Sequence, residues 1–275
     1  MTSTEATILN AKSSLNIHDT TDKLFFFRSN DQLIPAKLHI SGEHTDRLLV
    51  LFNGAVDRKK APDPRRVFQR SSWAEEFKAH TLNIADPTLD PSNDLSIGWG
   101  QAGGNNSTRL AYATLTTWIA ECLDITAENI TLYGSSAGGF QALQTAPFVR
   151  GAQCIVNNPQ IDWTYYSKKY VDALIQHVYP TFNAETLREA HPATVSVTHT
   201  FSQEKYVPRI KYFLNAASSA DYNRQAPHLI RYLNKGRNLA SRRCEMIIYS
   251  DPNAGHNPLP KATTINEINQ VLSGK

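Results

Sequence analysis

The chain has 275 residues, 41% of them hydrophobic and 19% charged, with a formal net charge of +3. That composition suits a globular fold, and without an apolar run of about 18 residues it offers no membrane span. So small a net charge, with no aromatic-interleaved basic stripe, gives no footing for nucleic-acid binding.

The length fits one α/β domain over residues 1–275. Met1 to Ser14 is polar and lacks the basic start and apolar stretch of a secretory signal, so a cytoplasmic location is expected. Apolar, β-branched and aromatic runs bounded by turn residues then recur at Leu24–Phe27, Leu33–Ile40, Leu48–Phe52, Thr81–Ala85, Ile130–Tyr133, Cys154–Val156, Ile210–Leu214 and Met246–Tyr249. These predict about eight strands. The first two, separated by Ser29-Asn30-Asp31, predict an antiparallel start.

Helical spacing occurs at Val67–Lys78, Thr108–Leu123, Gly138–Phe148, Ala226–Leu233 and Thr264–Leu272. Strands alternating with helices predict a mostly parallel sheet covered on both faces. Residues 162–206 break the alternation, with Trp163, Tyr165, Tyr166, Tyr170, Tyr179 and a helix over Lys168–Val178. They read as a lid or cap insertion after the sixth strand, or as packing decoration. Cys122, Cys154 and Cys244 have neither metal-ligand spacing nor an even count, and read as packed thiols.

The sharpest signal is Gly134-Ser135-Ser136-Ala137-Gly138, set between an apolar strand and a helix-forming run. It fits the G-x-S-x-G nucleophile elbow, whose small residues let the chain turn tightly enough to hold a serine above the sheet. Ser136 is therefore the candidate nucleophile, with Ser135 as the rival hydroxyl. On this motif and its strand-turn-helix setting the chain resembles the α/β-hydrolase superfamily, from about Lys23 to Leu272.

The resemblance implies the order nucleophile, acid, histidine. A serine hydroxyl needs a base within hydrogen-bond reach, and His256 lies on the loop after the last strand, where the superfamily places it. Asp221, after the seventh strand, is the expected acid; Asp162 and Asp251 are the alternatives. The oxyanion donors are expected to be the backbone N–H groups of Ala137 and of Ala55, in Asn53-Gly54-Ala55, which stands where the family has a His-Gly-x turn.

After the fourth strand, Ile84-Ala85-Asp86-Pro87-Thr88-Leu89 and Ile97-Gly98-Trp99-Gly100 lead into a flexible stretch from Gln101 to Ser107. This places Trp99 and Asp86 as substrate-binding candidates near the carboxyl edge of the sheet, with Trp99 able to stack on a sugar ring, cover an acyl pocket or simply pack in the core. The segment is somewhat similar to hydrolase-fold proteins linked to bacterial surface polysaccharides, including capsule O-acetyltransferases. Arg58 and Lys59 begin a basic stretch running to Arg70, suited to an anionic substrate or to simple solvation.

These residues point to an esterase or hydrolase of small acyl esters that forms an acyl-Ser136 intermediate and needs no cofactor. The alternatives are an O-acetyltransferase, with acetyl-CoA as co-substrate and a capsular polysaccharide as acceptor, and a noncatalytic binding module on the same fold. The expected partner is a small-molecule ester or carbohydrate. No metal site is expected, because neither H-E-x-x-H nor paired cysteines occur.

Overall fold

A computed structural model describes residues 7–10, 21–44, 46–104, 107–235 and 243–274. Most of the N-terminal stretch behind the cytoplasmic expectation, and residues 105 and 106 of the stretch expected to be flexible, lie outside them. The strands are β1 (Thr7–Leu9), β2 (Leu24–Ser29), β3 (Gln32–His39), β4 (Leu48–Phe52), β5 (His80–Ile84), β6 (Ile130–Ser135), β7 (Gln153–Asn157), β8 (Arg209–Asn215) and β9 (Cys244–Tyr249). They form one sheet in the order β1-β2-β3-β5-β4-β6-β7-β8-β9.

The sheet is mixed rather than purely parallel. β3 runs antiparallel to both β2 and β5, and every other pairing is parallel. The ninth strand, β1, was not expected. It is three residues of a polar, Thr-rich stretch, too short to show a period of two.

Alternating side chains of the central strands feed two cores. On β4, Leu48, Val50 and Phe52 enter the larger one, whereas Leu49 and Leu51 face the other side of the sheet. Helices α1 (Ser107–Cys122) and α2 (Ala137–Thr145) cover the larger core, together with an insert of α3 (Lys168–Val178), α4 (Ala184–Ala190), α5 (Pro192–Val195) and α6 (Val197–Glu204). After β8 comes α7 (Ala226–Lys235), and α8 (Lys261–Leu272) seals the second core through Ile268 and Leu272. Among the described residues, no helix is long and apolar enough to cross a membrane.

The insert between β7 and β8 is rooted in the main core. Trp163, Leu174, Leu187, Val197 and Phe201 are fully buried within it. Asp162 and Ser196 pair across its neck, and Arg109 of α1 donates to the carbonyl of Ala193 and the hydroxyl of Thr200.

The helix expected over Val67–Lys78 does not form. Its C-terminal half is a 3-10 turn, Ser71–Glu76, preceded by Arg70 at φ 68°. The cause is a tertiary tie: the Asn53 carboxamide donates to Val67 O, the carbonyl a helix would offer to Ser71 N, and accepts from Gln69 N.

Candidate functional site

Ser136 stands between β6 and α2 at φ 54° and ψ −125°, a conformation that costs energy for a residue with a side chain. Lack of space enforces it. A Cβ on Gly134 would overlap the backbone of Gly138 and Gly139, and one on Gly138 would lie 2.6 Å from Phe52 O. Strand and helix therefore touch backbone to backbone, and the serine is lifted out at the turn.

Its Oγ lies 2.8 Å from His256 Nε2, and His256 Nδ1 lies 2.7 Å from Asp221 Oδ2. Ser135 points elsewhere: it is buried, and its hydroxyl accepts a hydrogen bond from Arg70 Nη2 at 2.9 Å.

His256 follows β9 on a loop held by buried asparagines. Asn215, the last residue of β8, donates to the carbonyls of Asp251 and Gly255, both at 2.8 Å, and Asn158 donates to His256 O. Gly255 takes φ 54°, which a glycine adopts without strain and which turns the chain into the histidine.

Asp221 is 1% exposed and opens a π-helical turn, Asp221–Gln225. The hydroxyl of Ser218 donates to the same carboxylate oxygen that meets His256, and the other oxygen, Oδ1, is buried without a hydrogen-bond partner. The alternative acids are occupied elsewhere. Asp251 caps its own loop at the amides of Asn253 and Ala254, and Asp162 caps the turn at Thr164, with its carboxyl pushed up by burial to about 6.

Of the two expected oxyanion donors, Ala137 stands at the elbow itself and Ala55 follows a glycine that packs beside it. Ala137 is the first residue of α2, and a Cβ built on Gly54 would lie 4.0 Å from Ser136 Cβ. A serine, a histidine and a buried carboxylate in hydrogen-bonded series can move a proton off the serine oxygen, and adjacent amides can receive the negative charge of a tetrahedral adduct.

No family model matches the chain, and no curated protein matches it. Solved structures do match. A mutant of the capsule O-acetyltransferase of Neisseria meningitidis serogroup A, in complex with CoA, has a TM-score of 0.65 at 14% identity, over 95% of this chain and 100% of that one. An acetyl xylan esterase from Paenibacillus sp. R4 has 0.59 at 13% identity, over 92% and 88%. A 2,6-dihydroxy-pseudo-oxynicotine hydrolase has 0.62 at 14% identity, over 94% and 70%. The chain has the α/β-hydrolase fold.

Within that hydrolase fold, the expected substrate-binding residues sit differently from one another. Trp99 is 1% exposed; one ring face stacks on Trp163 at 5.4 Å, Tyr166 meets it edge-on, and its indole N–H donates to Gln160 Oε1 at 3.0 Å. It therefore has no free surface for a sugar, which corrects the expected stacking platform. Asp86 is also buried. Its carboxylate accepts from the amides of Thr88 and Gly100, and burial raises its pKa.

The Arg58 guanidinium spans the carbonyls of Asp90, Asn93 and Leu95, so its donors are committed to a neighbouring loop. Lys59 is exposed and lines a cleft of about 780 Å³ between the residues after Ala55 and α3, together with Lys169, Tyr170 and His177. Tyr170 leads inward, since its ring contacts Tyr166, whose ring lies 5.6 Å from that of His256. Among the described residues, no group of acidic, histidine or cysteine side chains is placed to hold a metal ion.

Sequence reading missed Gln160, whose amide meets Ser136 Oγ at 3.2 Å and whose orientation Trp99 fixes. It also missed Asn158, Asn215, Ser218 and Gln69. Gln160 carried a usable signal, lying just past the β7 strand end at the functional edge; Ser218 acts through Asp221 three residues on, and Asn158, Asn215 and Gln69 act through neighbours remote in sequence.

Proposed function

We propose that this protein is an acyl-transfer enzyme that works through an acyl-Ser136 intermediate, most directly as an esterase of small acyl esters. The observation that carries this reading is the unbroken chain from Ser136 Oγ through His256 to Asp221. His256 Nε2 takes the serine proton as Oγ bonds to the ester carbonyl carbon, while Asp221 holds the ring and balances the imidazolium charge. The Ala137 and Ala55 amides receive the oxyanion. Collapse of the tetrahedral adduct expels the alcohol, which leaves with the proton from His256. The second half runs the same steps with the acceptor in place of Ser136, so water gives hydrolysis and a sugar hydroxyl gives transfer.

The transfer reading, from acetyl-CoA to a polysaccharide hydroxyl, is favoured by the cleft beside Ala55. Its lining sets Arg58, Lys59 and Lys169 against Asp57 and Asp94, an excess of one positive charge, and the Arg58 guanidinium is bonded to neutral carbonyls rather than to either carboxylate. The likeness to a capsule O-acetyltransferase solved in complex with CoA is compatible with it. In either case residues 162–206 would act as a cap, placing Tyr166, backed by Tyr170, against the histidine. A noncatalytic binding module would have no use for the proton-transfer geometry.

The test is incubation with p-nitrophenyl esters of graded chain length and with acetyl-CoA, with and without a polysaccharide acceptor, reading acid release against transfer. Ester hydrolysis with no acetyl reaching the sugar from either donor supports the esterase and excludes the transferase. Acetyl reaching the sugar does the reverse, and failure of a fluorophosphonate to label Ser136 overturns both.

A further inference from the structure

Gln69 is half-buried and lies on no regular element, yet its side chain makes two hydrogen bonds to the loop that follows β4. Its Oε1 accepts from Gly54 N at 2.9 Å, and its Nε2 donates to Ala55 O at 2.8 Å. Asn53 answers from the other side: its carboxamide binds Val67 O and Gln69 N, so each turn's side chain holds the other turn's backbone. Gln141 of α2 also donates to Asn53 O. One residue on, Arg70 donates to Ser135, the residue before the elbow serine.

The backbone donors of the loop can be accounted for one by one. Gly54 N–H goes to Gln69, and Val56 N–H goes to Ser96 O at 2.8 Å. Ala55 N–H, on an exposed residue between them, donates to no group among the described residues. Gln69 thus fixes the peptide units on both sides of that amide while leaving its N–H without a partner among the described residues.

We infer that Gln69 is a positioning residue for the oxyanion site, aiming the Ala55 amide by gripping Gly54 N–H and Ala55 C=O together. This rests on the acyl-transfer reading above. Donors fixed in advance are effective because nothing has to reorganise as charge develops. Losing the grip should weaken binding of the transition state and leave that of the neutral ester almost unchanged.

The test uses Gln69→Met, which keeps the length without the hydrogen bonds, and Gln69→Glu, which keeps the acceptor for Gly54 but sets an oxygen against Ala55 O. For p-nitrophenyl acetate, kcat should fall about 10- to 100-fold in both, with KM within about 3-fold of wild type. The Ki of a trifluoromethyl ketone, which forms the tetrahedral adduct, should rise by the same factor as kcat/KM falls. Retention of kcat within about 2-fold, or a KM effect alone, overturns the assignment. So does a loss of thermal stability without a loss of kcat. Fluorophosphonate labelling of the wild type at Ser136 separates the two levels: if labelling succeeds and the variants stay active, only the role of Gln69 fails, and if it does not, the acyl-transfer reading fails.

Discussion

Asp221 reaches His256 Nδ1 at 2.7 Å through the same oxygen that accepts from Ser218, leaving its other oxygen buried and unpartnered. The carboxylate is thus aimed at the imidazole by a π-helical turn and a single hydroxyl. Asp221→Asn should lower kcat by about 10⁴, because an amide nitrogen facing Nδ1 forces the wrong tautomer. Asp162→Asn and Asp251→Asn should change it less than about 10-fold, since both carboxylates cap turns and neither faces the ring. Steady-state kinetics on the three variants checks this, and a reversed ranking would reassign the acid.

Ser136→Ala should abolish both turnover and fluorophosphonate labelling while the fold persists, as only one oxygen at a half-exposed turn is removed. Ser135→Ala should still be labelled, because that hydroxyl serves Arg70 rather than His256. Intact-mass measurement of both variants after labelling decides between the hydroxyls.

Trp99→Ala should behave as a core deletion and not as loss of a sugar-stacking surface. Removing a ring packed on Trp163 should cost about 3–5 kcal/mol in urea unfolding. Trp99→Phe should retain most of the packing yet release Gln160, lowering kcat for any ester, large or small. A loss confined to a polysaccharide acceptor, at unchanged stability, would restore the stacking role.

Asp162 introduces a pH term at the neck of the insert. Burial raises its carboxyl from 3.8 to about 6, so the folded chain holds this proton at pH values where the unfolded chain has released it. Stability from this group is present below about pH 4, is lost as pH rises to about 6, and stays reduced above. Asp162→Asn, which keeps an acceptor for Thr164, should exceed wild type by about 2–3 kcal/mol at neutral pH and match it near pH 4. Paired urea melts across that range check it; a difference independent of pH would contradict it.

Much of the fold was legible because it depends on local patterns. Buried parallel strands show as continuous apolar runs, and the elbow shows because only glycine fits at Gly134 and Gly138. The loop histidine and the acid candidate could be read once strand order was known, and the geometry brings His256 to Ser136 and Asp221 to His256. What was illegible depends on pairings remote in sequence. Nothing local marks Val67–Gln69 as bound by Asn53, so helical spacing there misled. Likewise Trp99 near a functional edge fits either a ligand surface or core packing, and only Trp163, 64 positions later, decides for packing.

The Asn53–Gln69 clasp also bears on chemical ageing. Asparagine followed by glycine is the pair at which a backbone nitrogen most readily closes on the side-chain amide, expelling ammonia and leaving an acid. Here the attacking Gly54 nitrogen is bonded to Gln69, and both ends of the Asn53 amide are held, so neither partner can rotate into the reaction. Should the clasp open long enough for deamidation, a carboxylate oxygen would replace the donor facing Val67 O, and repulsion would keep the loop from closing again. Shelf life would then be set by the opening rate of one short loop, and a preparation could lose activity while its melting curve scarcely changed.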